Sequence, residues 1–420
     1  MRAAVLALMI AAGGGASPAA AQLDGNADEA KVAPYSLPDP LRLTDGGRVT
    51  TPAGWWRRRR PELVSLFEQT IYGVAPPAPR RMRFEQTDLD GAALGGLAVR
   101  KQVTVLLDGT PEGPQLDLLL YLPAHTRGPV PVFLGLNFHG NQAVSADPAV
   151  AITHSWVVPA TGIVKGRASL HARGIDAADW PIETILRAGY GVATFFSGDL
   201  YPDADGKVAE SIQPWYRISP SARDHWGAIA TWAWGLSRAY DYLRTDPQVD
   251  AHRVVVIGHS RYGKAALWAG ARDQRFAAVI SNCSGEGGAS LYRRNFGETI
   301  RVMNNYWFAP MFKTFAEREA ALPVDAHELI ALVAPRPVYI AGATEDWWAD
   351  PRGSFLAAKA AEPVYRLLGA GGLAADAMPP PDRPVLSPIA FHLRTGPHAI
   401  TPWDWANYIR FADRYLPARR

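Results

Sequence analysis

The chain has 420 residues, of which 48% are hydrophobic and 20% are charged, a composition typical of a globular protein with a sizeable core and not of a disordered chain. Its 43 basic and 40 acidic residues leave a formal net charge of +3, which is too small and too dispersed to indicate a nucleic-acid partner. Cys283 is the only cysteine, so an intramolecular disulfide is excluded.

The first residues have the features of a secretion signal. Arg2 precedes an apolar stretch at 3–12, and three alanines at 19–21 stand before Gln22, which is the pattern of a signal peptide with its cleavage site. We expect residues 1–21 to be removed and the mature chain, 22–420, to be secreted or periplasmic in a bacterium. The apolar stretch is shorter than the roughly 20 residues that cross a bilayer, so we expect no attachment to a membrane.

Before the first predicted strand, the sequence indicates an arm and a helix. Residues 22–52 are polar with scattered prolines, which predicts an extended arm that wraps the domain. Residues 61–72 carry apolar side chains at spacings of three and four, the pattern of a helix with one buried face. The four arginines at 57–60 are expected to form a solvated start of that helix.

The rest of the chain alternates between predicted strands and predicted helices. Residues 130–136 form an almost wholly apolar run, which suits a strand buried on both faces of a parallel sheet. The alternation predicts an α/β fold with a doubly wound, mostly parallel sheet in a three-layer sandwich, built as a single domain over 22–420. The predicted strands are 103–107, 116–122, 130–136, 191–196, 253–257, 277–281, 337–343 and 389–394, and the predicted helices are 224–243 and one that follows Ser260.

The most informative segment is Gly-His-Ser-Arg-Tyr-Gly-Lys at 258–264, where the strand at 253–257 turns into a helix. A sharp strand-to-helix turn raises a serine above the edge of the sheet and points the backbone N–H groups that follow it toward developing negative charge. Ser260 is therefore the candidate nucleophile of an acyl-transfer reaction. The run departs from the common Gly-x-Ser-x-Gly pattern, because Tyr262 replaces the second glycine and Gly263 comes one residue later.

A nucleophilic serine needs a base, and in α/β-hydrolases an acid and then a histidine follow the serine along the chain. Three of the ten histidines lie well after Ser260. His392 falls within the last predicted strand, and His327 falls in a helix-like stretch. His398 lies in a turn between the last strand and a helix predicted to start near Pro402, so it is the candidate base.

Four segments resemble the bacterial glucuronoyl esterases of carbohydrate esterase family 15. They are the Ser-Arg elbow with its Gly-Lys at 258–266, Asp-Trp-Trp-Ala-Asp-Pro at 346–351, Trp-Ala-Trp-Gly at 232–235 and Gly-Pro-His at 396–398, and the resemblance extends along the chain from the His-Gly region at 139–140. The resemblance implies the α/β-hydrolase fold and a serine esterase that works through an acyl-enzyme. The implied substrate is the ester between (4-O-methyl-)glucuronic acid of glucuronoxylan and lignin alcohols. We expect a monomer whose partner is this lignin-carbohydrate ester.

The resemblance leaves the carboxylate of the triad open, since the family uses one of two loops for it. In the first loop the family's usual glutamate falls on Cys283, and cysteine serves poorly in that role. The second loop follows the next-to-last strand, where most α/β-hydrolases keep their acid, and Asp346 occupies the matching place. Asp346 is the predicted acid, while Glu286, Glu345 and Asp350 remain alternatives.

The resemblance also assigns residues that stabilise charge and bind sugar. Arg261, directly after the nucleophile, is expected to stabilise the oxyanion with its backbone N–H and its side chain. A second backbone donor is sought in the His-Gly turn at 137–141. Lys264 lies one helical turn beyond the nucleophile on the same face. The family uses the matching lysine, with residues that match Glu298 and Trp348, to hold the sugar.

Sequence motifs for other chemistries are missing. The chain has no His-Glu-x-x-His motif, cysteine cluster, phosphate-binding loop or dinucleotide-binding glycine fingerprint, so we expect no cofactor and no metal. Asp-Ala-Asp-Gly at 203–206 has acidic spacing, but a plain polar turn is predicted there rather than a calcium site.

Two other functions fit the same segments. An acetyl xylan esterase, or another carbohydrate esterase of this fold, would share the triad but would have no use for Lys264 and Glu298. A non-catalytic carbohydrate-binding protein would need neither Ser260 nor His398, and the presence of both favours an enzyme.

Overall fold

A mixed sheet lies at the centre of the protein. The computed structural model describes residues 25–216 and 225–416, and the predicted signal peptide, 1–21, lies outside these residues. The strands of the described residues are β1 (Arg83–Ala92), β2 (Ala98–Leu106), β3 (Gln115–Pro123), β4 (Val130–Asn137), β5 (Ile163–Val164), β6 (Arg167–Ala168), β7 (Gly191–Phe196), β8 (Val249–His259), β9 (Ala278–Asn282), β10 (Val338–Ala343) and β11 (Ile389–Arg394). β5 and β6 pair with each other, and the others form one sheet in the order β1-β2-β3-β7-β4-β8-β9-β10-β11.

The larger part of this sheet is parallel. Neighbouring strands from β7 through β4, β8, β9 and β10 to β11 run in the same direction, and β1, β2 and β3 extend the sheet with antiparallel pairs. All residues of β4 are buried, as its apolar run predicted. The α/β-hydrolase fold class is confirmed. β1 was not predicted, because none of its residues is buried and most of its side chains are polar.

Helices cover both faces of the sheet, as a three-layer fold requires. The helices of the described residues are α1 (Pro52–Gly54), α2 (Arg60–Phe67), α3 (Ala93–Gly96), α4 (Ile182–Arg187), α5 (Ala228–Leu243), α6 (Arg261–Arg272), α7 (Pro310–Lys313), α8 (Ala326–Ala331), α9 (Pro351–Ala360), α10 (Glu362–Leu367) and α11 (Pro402–Tyr415), with π-helical turns at Trp55–Arg59 and Glu68–Tyr72 on either side of α2. Within this part of the chain, no helix is long and apolar enough to cross a bilayer.

Two hydrophobic cores lie on opposite faces of the sheet. Successive residues of a strand point to opposite faces, and in β8 Val254 and Val256 belong to one core while Val255 and Ile257 belong to the other. Side chains of α5, α6, α8 and α9 complete the first core, and side chains of α4 and α11 complete the second. The sheet is therefore held rigidly from both sides, and its strand ends are fixed in position.

The predicted arm is an extended segment over 25–51 that packs Leu41, Leu43 and Val49 into the first core. Its path is fixed by polar contacts as well. His327 Nε2 lies 2.9 Å from the carbonyl oxygen of Pro38, and Arg59 Nε donates to the carbonyl of Pro40 at 3.1 Å.

The predicted solvated start of the first long helix is wrong for two of its four arginines. Arg59 and Arg60 are only 3% and 9% exposed. Arg59 binds Glu62 at 2.6 Å and Glu328 at 2.7 Å, and Arg60 donates to the carbonyl oxygen of Ala271. Buried charge is tolerated here because each guanidinium has carboxylate or carbonyl partners.

Candidate active site

Four loops meet at one edge of the sheet. β8, β9, β10 and β11 are neighbours and run in the same direction, so the segments that follow them emerge at the same carboxyl edge. In strand order these segments carry Ser260, Cys283, Asp346 and His398. The topology thus brings the three residues proposed for the triad to a single edge.

Ser260 lies in a sharp turn between β8 and α6, with φ 58° and ψ −131°, a strained conformation for a residue with a side chain. Gly258 permits this turn, because a Cβ there would lie 1.9 Å from the carbonyl oxygen of Tyr262. A Cβ on Gly263 would approach the carbonyl oxygen of Asn282 at 3.0 Å, which explains why a glycine is needed one residue later than in the common pattern. The strand-to-helix elbow predicted from the sequence is confirmed.

His398 and Asp346 form a hydrogen-bonded pair. His398 Nδ1 lies 2.7 Å from Asp346 Oδ2, and the carboxylate side chain is 3% exposed while the imidazole is 40% exposed. A buried carboxylate at Nδ1 favours the tautomer that carries its proton there and leaves Nε2 free to accept one. The imidazole ring is 4.6 Å from the ring of His259, the residue before the nucleophile. Among the described residues, no hydrogen bond joins Ser260 to His398.

His259 is a neighbour of the base that the sequence analysis did not single out. Its Nδ1 lies 2.9 Å from Asn282 Oδ1. Burial, and the positive charge that His398 can acquire, lower the pKa of His259 to about 3. His259 therefore stays neutral at ordinary pH and does not compete for the proton of the nucleophile.

Glu286, the first alternative acid, lies in a different environment. It is 2% exposed, and its Oε1 accepts a hydrogen bond from the backbone N–H of Ile300 at 3.1 Å. Burial, with the nearby carboxylates of Glu319 and other acids, raises the pKa of Glu286 well above its usual range. A carboxyl group that stays protonated has no negative charge with which to stabilise an imidazolium.

Among the described residues, the other two alternative acids form no hydrogen bond with the base. Asp350 caps α9 through a backbone N–H and binds Arg294 at 2.8 Å. Glu345 is exposed to solvent. Of the four carboxylates considered from the sequence, Asp346 is the one that the structure places against His398.

Arg261 begins α6, and its guanidinium is enclosed by two aromatic rings and a carboxylate. The guanidinium carbon lies 5.4 Å from the ring centre of Phe138 and 5.5 Å from that of Trp307, within the range of cation–π attraction. Its Nη1 forms an ion pair with Asp203, which also accepts hydrogen bonds from Tyr306 at 2.8 Å and from Trp307 Nε1 at 3.2 Å. The predicted polar turn thus carries the carboxylate that fixes this arginine next to the nucleophile.

Lys264 is buried, and its ammonium group is fully engaged. Its Nζ donates to the carbonyl oxygens of Ser284 at 2.8 Å and Glu286 at 2.6 Å, and to Glu298 Oε2 at 2.6 Å. An ammonium group has three protons, so these acceptors use all of them. The N–H of Glu298 donates to the carbonyl of Trp348 at 2.8 Å. The three proposed sugar-binding residues therefore lie together, but Lys264 reaches a sugar hydroxyl only by exchanging one of its present acceptors.

In the His-Gly turn at 137–141, which was considered for a second oxyanion donor, one backbone N–H group already donates a hydrogen bond within the turn. Gly140 donates its N–H to Asn137 Oδ1 at 2.9 Å, so this group is not free for an oxyanion. In the same turn, His139 Nδ1 lies 2.8 Å from Asp176 Oδ2, a pair that no sequence motif indicated.

A buried arginine holds the turn that carries His398. Arg394 Nη2 donates to the carbonyl oxygens of Pro397 at 2.6 Å and Ala399 at 3.3 Å, one on each side of the histidine. Its Nε lies 3.1 Å from Asp404 Oδ2, and the same carboxylate caps α11. The turn is therefore tied to both β11 and α11, a role that no sequence motif marks.

Several known proteins are similar to this chain. A family model described as "Glucuronyl esterase, fungi" matches residues 174–369. The chain is 49% identical over 400 residues to carbohydrate esterase MZ0003 of an unknown prokaryotic organism, covering 93% of this chain and 92% of that protein. It is 35% identical over 362 residues to the 4-O-methyl-glucuronoyl methylesterase of Phanerochaete carnosa, covering 79% of this chain and 72% of that protein. The solved structure of the glucuronoyl esterase from Solibacter usitatus is similar with a TM-score of 0.87 at 42% identity, over 92% of this chain and 100% of that chain.

Proposed function

Since the chain belongs to the glucuronoyl esterase family and is a carboxylic ester hydrolase, we propose that it hydrolyses the ester between (4-O-methyl-)glucuronic acid of glucuronoxylan and lignin alcohols. The observation that carries this proposal is the pair of Asp346 and His398, 2.7 Å apart, at the sheet edge where the elbow raises Ser260. A serine, a histidine and a buried carboxylate in this topological order are typical of ester hydrolysis through an acyl-enzyme.

In the proposed reaction, Ser260 Oγ attacks the carbonyl carbon of the glucuronate ester while His398 Nε2 takes the hydroxyl proton. Asp346 stabilises the imidazolium that forms. The alcohol leaves with that proton, and the glucuronoyl group stays on Ser260. A water molecule, deprotonated by the same imidazole, then releases the acid and restores the serine. Catalytic hydrogen bonds of free enzymes are often long and tighten when substrate binds, so the contact between Ser260 and His398 is expected to form in the complex.

Arg261 supplies positive charge for the oxyanion. Its position at the start of α6 places it next to Ser260, and Asp203 and two aromatic rings hold its guanidinium in place. A donor that is already oriented stabilises the tetrahedral intermediate without reorganisation, and the loss of one such donor costs about 10²- to 10³-fold in kcat.

The sugar would be held by the group around Glu298. A carboxylate accepts hydrogen bonds from sugar hydroxyls. Lys264 holds the Glu298 carboxylate in place, since its Nζ donates to Glu298 Oε2 at 2.6 Å. Trp348 is joined to Glu298 through its backbone, and an indole ring offers an apolar face and one N–H donor to a sugar. Lys264 acts mainly through Glu298 in this arrangement.

Export is part of the proposal. Glucuronoxylan and lignin are extracellular polymers, so we propose that residues 1–21 direct the chain out of the cytoplasm and that the single domain over 22–420 acts as a secreted or periplasmic monomer.

Steady-state kinetics with benzyl glucuronate and an acetylated xylo-oligosaccharide test the substrate. We expect kcat/KM to be at least about tenfold higher for the glucuronate ester. Glu298→Gln should lower kcat/KM for the glucuronate ester, whereas Glu183→Gln, on the exposed face of α4, should leave it unchanged. A preference for acetyl groups would overturn the substrate assignment and leave the family and the fold intact.

Acetyl ester hydrolysis is the second candidate, because the relative that is 49% identical carries the broader name carbohydrate esterase. In that case, Glu298→Gln should barely change activity. A serine-reactive phosphonate separates both esterases from a carbohydrate-binding protein without catalysis. We expect an adduct on Ser260, and its absence would favour the binding protein.

A further inference from the structure

Three side chains that can ligate a metal ion meet at the carboxyl edge of the sheet, the edge that also carries Ser260. Cys283, Asp346 and His398 each offer one ligand atom, and these atoms lie within 4.8 Å of one another. They come from the segments after β9, β10 and β11, so three separate strand ends support them. The reaction proposed above uses the imidazole and the carboxylate but not the thiol.

The backbone holds the thiol in this place. Cys283 has φ 48°, a left-handed conformation that is uncommon for a residue with a side chain. Its N–H donates to the carbonyl of Ala341 at 2.8 Å, which pins it to the end of β10. The residue is 4% exposed, whereas the neighbouring His398 side chain is 40% exposed. An ion can therefore approach from the solvent along the imidazole and meet a thiol that is already in position.

The donor types select the class of ion. Thiolate, imidazole and carboxylate are the ligands that Zn²⁺ takes in proteins, and three of them leave the fourth tetrahedral position to a water molecule. Mg²⁺ and Ca²⁺ prefer all-oxygen sites and gain little from a thiol. The set therefore favours a soft divalent ion such as Zn²⁺ or Cd²⁺.

We propose that Cys283, Asp346 and His398 form an inhibitory site for soft divalent cations of the zinc class. Binding releases the thiol proton to solvent, one proton for each ion bound. The metal then holds the imidazole and the carboxylate, so neither is free for proton transfer from Ser260. The esterase is inhibited while the ion is bound and recovers when a chelator removes it. The inhibition rests on the proposed function, whereas the binding of the ion does not.

Cd²⁺ is the probe for the test, because a cadmium–thiolate bond has an ultraviolet charge-transfer band. Cys283 is the only cysteine of the chain, so any such band reports this site. Titration of the purified, chelator-treated protein should give a band that saturates at one ion per chain, with one proton released. Cys283→Ser should abolish the band. His398→Ala should keep the band but weaken the dissociation constant by at least about tenfold.

His252→Ala is the matched control, since His252 is an exposed histidine near the other end of β8 and its loss should leave the dissociation constant unchanged. Equal constants for the wild type and His398→Ala would overturn the proposal, because a lone thiol would then explain the band. Absence of the band in the wild type would overturn it as well.

A second experiment measures the rate of benzyl glucuronate hydrolysis as Zn²⁺ is added. The rate of each variant is compared with the rate of the same variant without metal. We expect the wild type to lose activity as Zn²⁺ rises and to recover with chelator, and Cys283→Ser to be insensitive over the same range. Equal inhibition of both would overturn the inhibitory site. If Cd²⁺ binds as described but the metal-free protein does not hydrolyse the glucuronate ester, the site stands and the proposed function fails.

Discussion

A single carboxylate governs how well His398 can act as a base. Asp346→Asn keeps the size of the side chain but removes the charge at Nδ1, so the imidazole loses both its favoured tautomer and the stabilisation of its protonated form. We expect kcat on benzyl glucuronate to fall by about 10⁴-fold with little change in KM.

Glu286→Gln is the control for this substitution. Burial already raises the pKa of Glu286, and an amide closely mimics a neutral carboxyl group, so kcat should stay within a few fold of the wild type. A larger loss in Glu286→Gln than in Asp346→Asn would reverse the assignment of the acid.

Asp203 is a second residue whose charge matters for turnover. It is the only carboxylate that pairs with Arg261 among the described residues, although Phe138 and Trp307 also enclose the guanidinium. Asp203→Asn should loosen the arginine without removing it, so we expect kcat to fall by about tenfold, less than the roughly 10²- to 10³-fold loss expected for Arg261→Ala. Asp205→Asn, an exposed neighbour in the same turn, should leave kcat unchanged.

The contrast between Ser260 and Asp203 shows which site residues a sequence can predict. Ser260 sits in a local pattern, because the elbow requires glycines within a few residues of it. Asp203 binds side chains of residues that are 58 to 104 positions away in the sequence. No local sequence pattern indicates contacts over such separations. Arg394 is similar, since it donates to backbone carbonyl oxygens on both sides of His398, and every residue has such an oxygen, so the sequence does not mark these contacts.

At the scale of elements, Arg394 holds both backbone carbonyl groups that flank His398 in the turn between β11 and α11. Arg394→Lys keeps a positive charge near Asp404, but a single ammonium cannot span both carbonyls and the carboxylate as a guanidinium does. We expect kcat to fall by about tenfold with KM little changed, and the melting temperature to fall by about one degree, consistent with a loss of about 1 kcal/mol.

Arg383→Lys serves as the matched control, since Arg383 is exposed in the loop before β11. It should leave both quantities unchanged. If Arg394→Lys lowered the melting temperature but left kcat and its pH profile as in the wild type, Arg394 would be structural and would not position the base.

The strands differ in how clearly the sequence marks them, for a physical reason. β7 and β11 have the predicted bounds, because both are wholly buried and consist mainly of apolar residues, although β11 also carries His392 and Arg394. β1 lies at the antiparallel edge with no buried residue, so neither an apolar run nor a clean alternation identifies it. α4 was also missed, since its six residues are too few to display a helical period.

At the scale of the whole molecule, the two cores fix the strand ends and so withdraw two histidines from solvent, the half-buried His259 at the end of β8 and the buried His392 within β11. Burial lowers the pKa of His259 to about 3, and burial lowers the pKa of His392 in β11 as well. The unfolded chain, by contrast, leaves its histidines near their ordinary pKa of about 6.5. Folding therefore expels protons from these groups in weakly acidic solution.

The sign of the resulting pH dependence follows from proton counting. Between pH 3 and 6.5 the unfolded chain binds more protons at His259 than the folded one, so this contribution to stability is complete above pH 6.5 and is lost as the pH falls toward 3. The free energy of unfolding gains up to about 1.4 kcal/mol per pH unit from this group.

His259→Asn cannot take up that proton in either state. Urea unfolding at pH 5, 6 and 7 should therefore show a shallower pH dependence for this variant than for the wild type, while His252→Asn, at an exposed site of the same strand, should match the wild type. Parallel curves for the wild type and His259→Asn would show that His259 takes up its proton equally in both states.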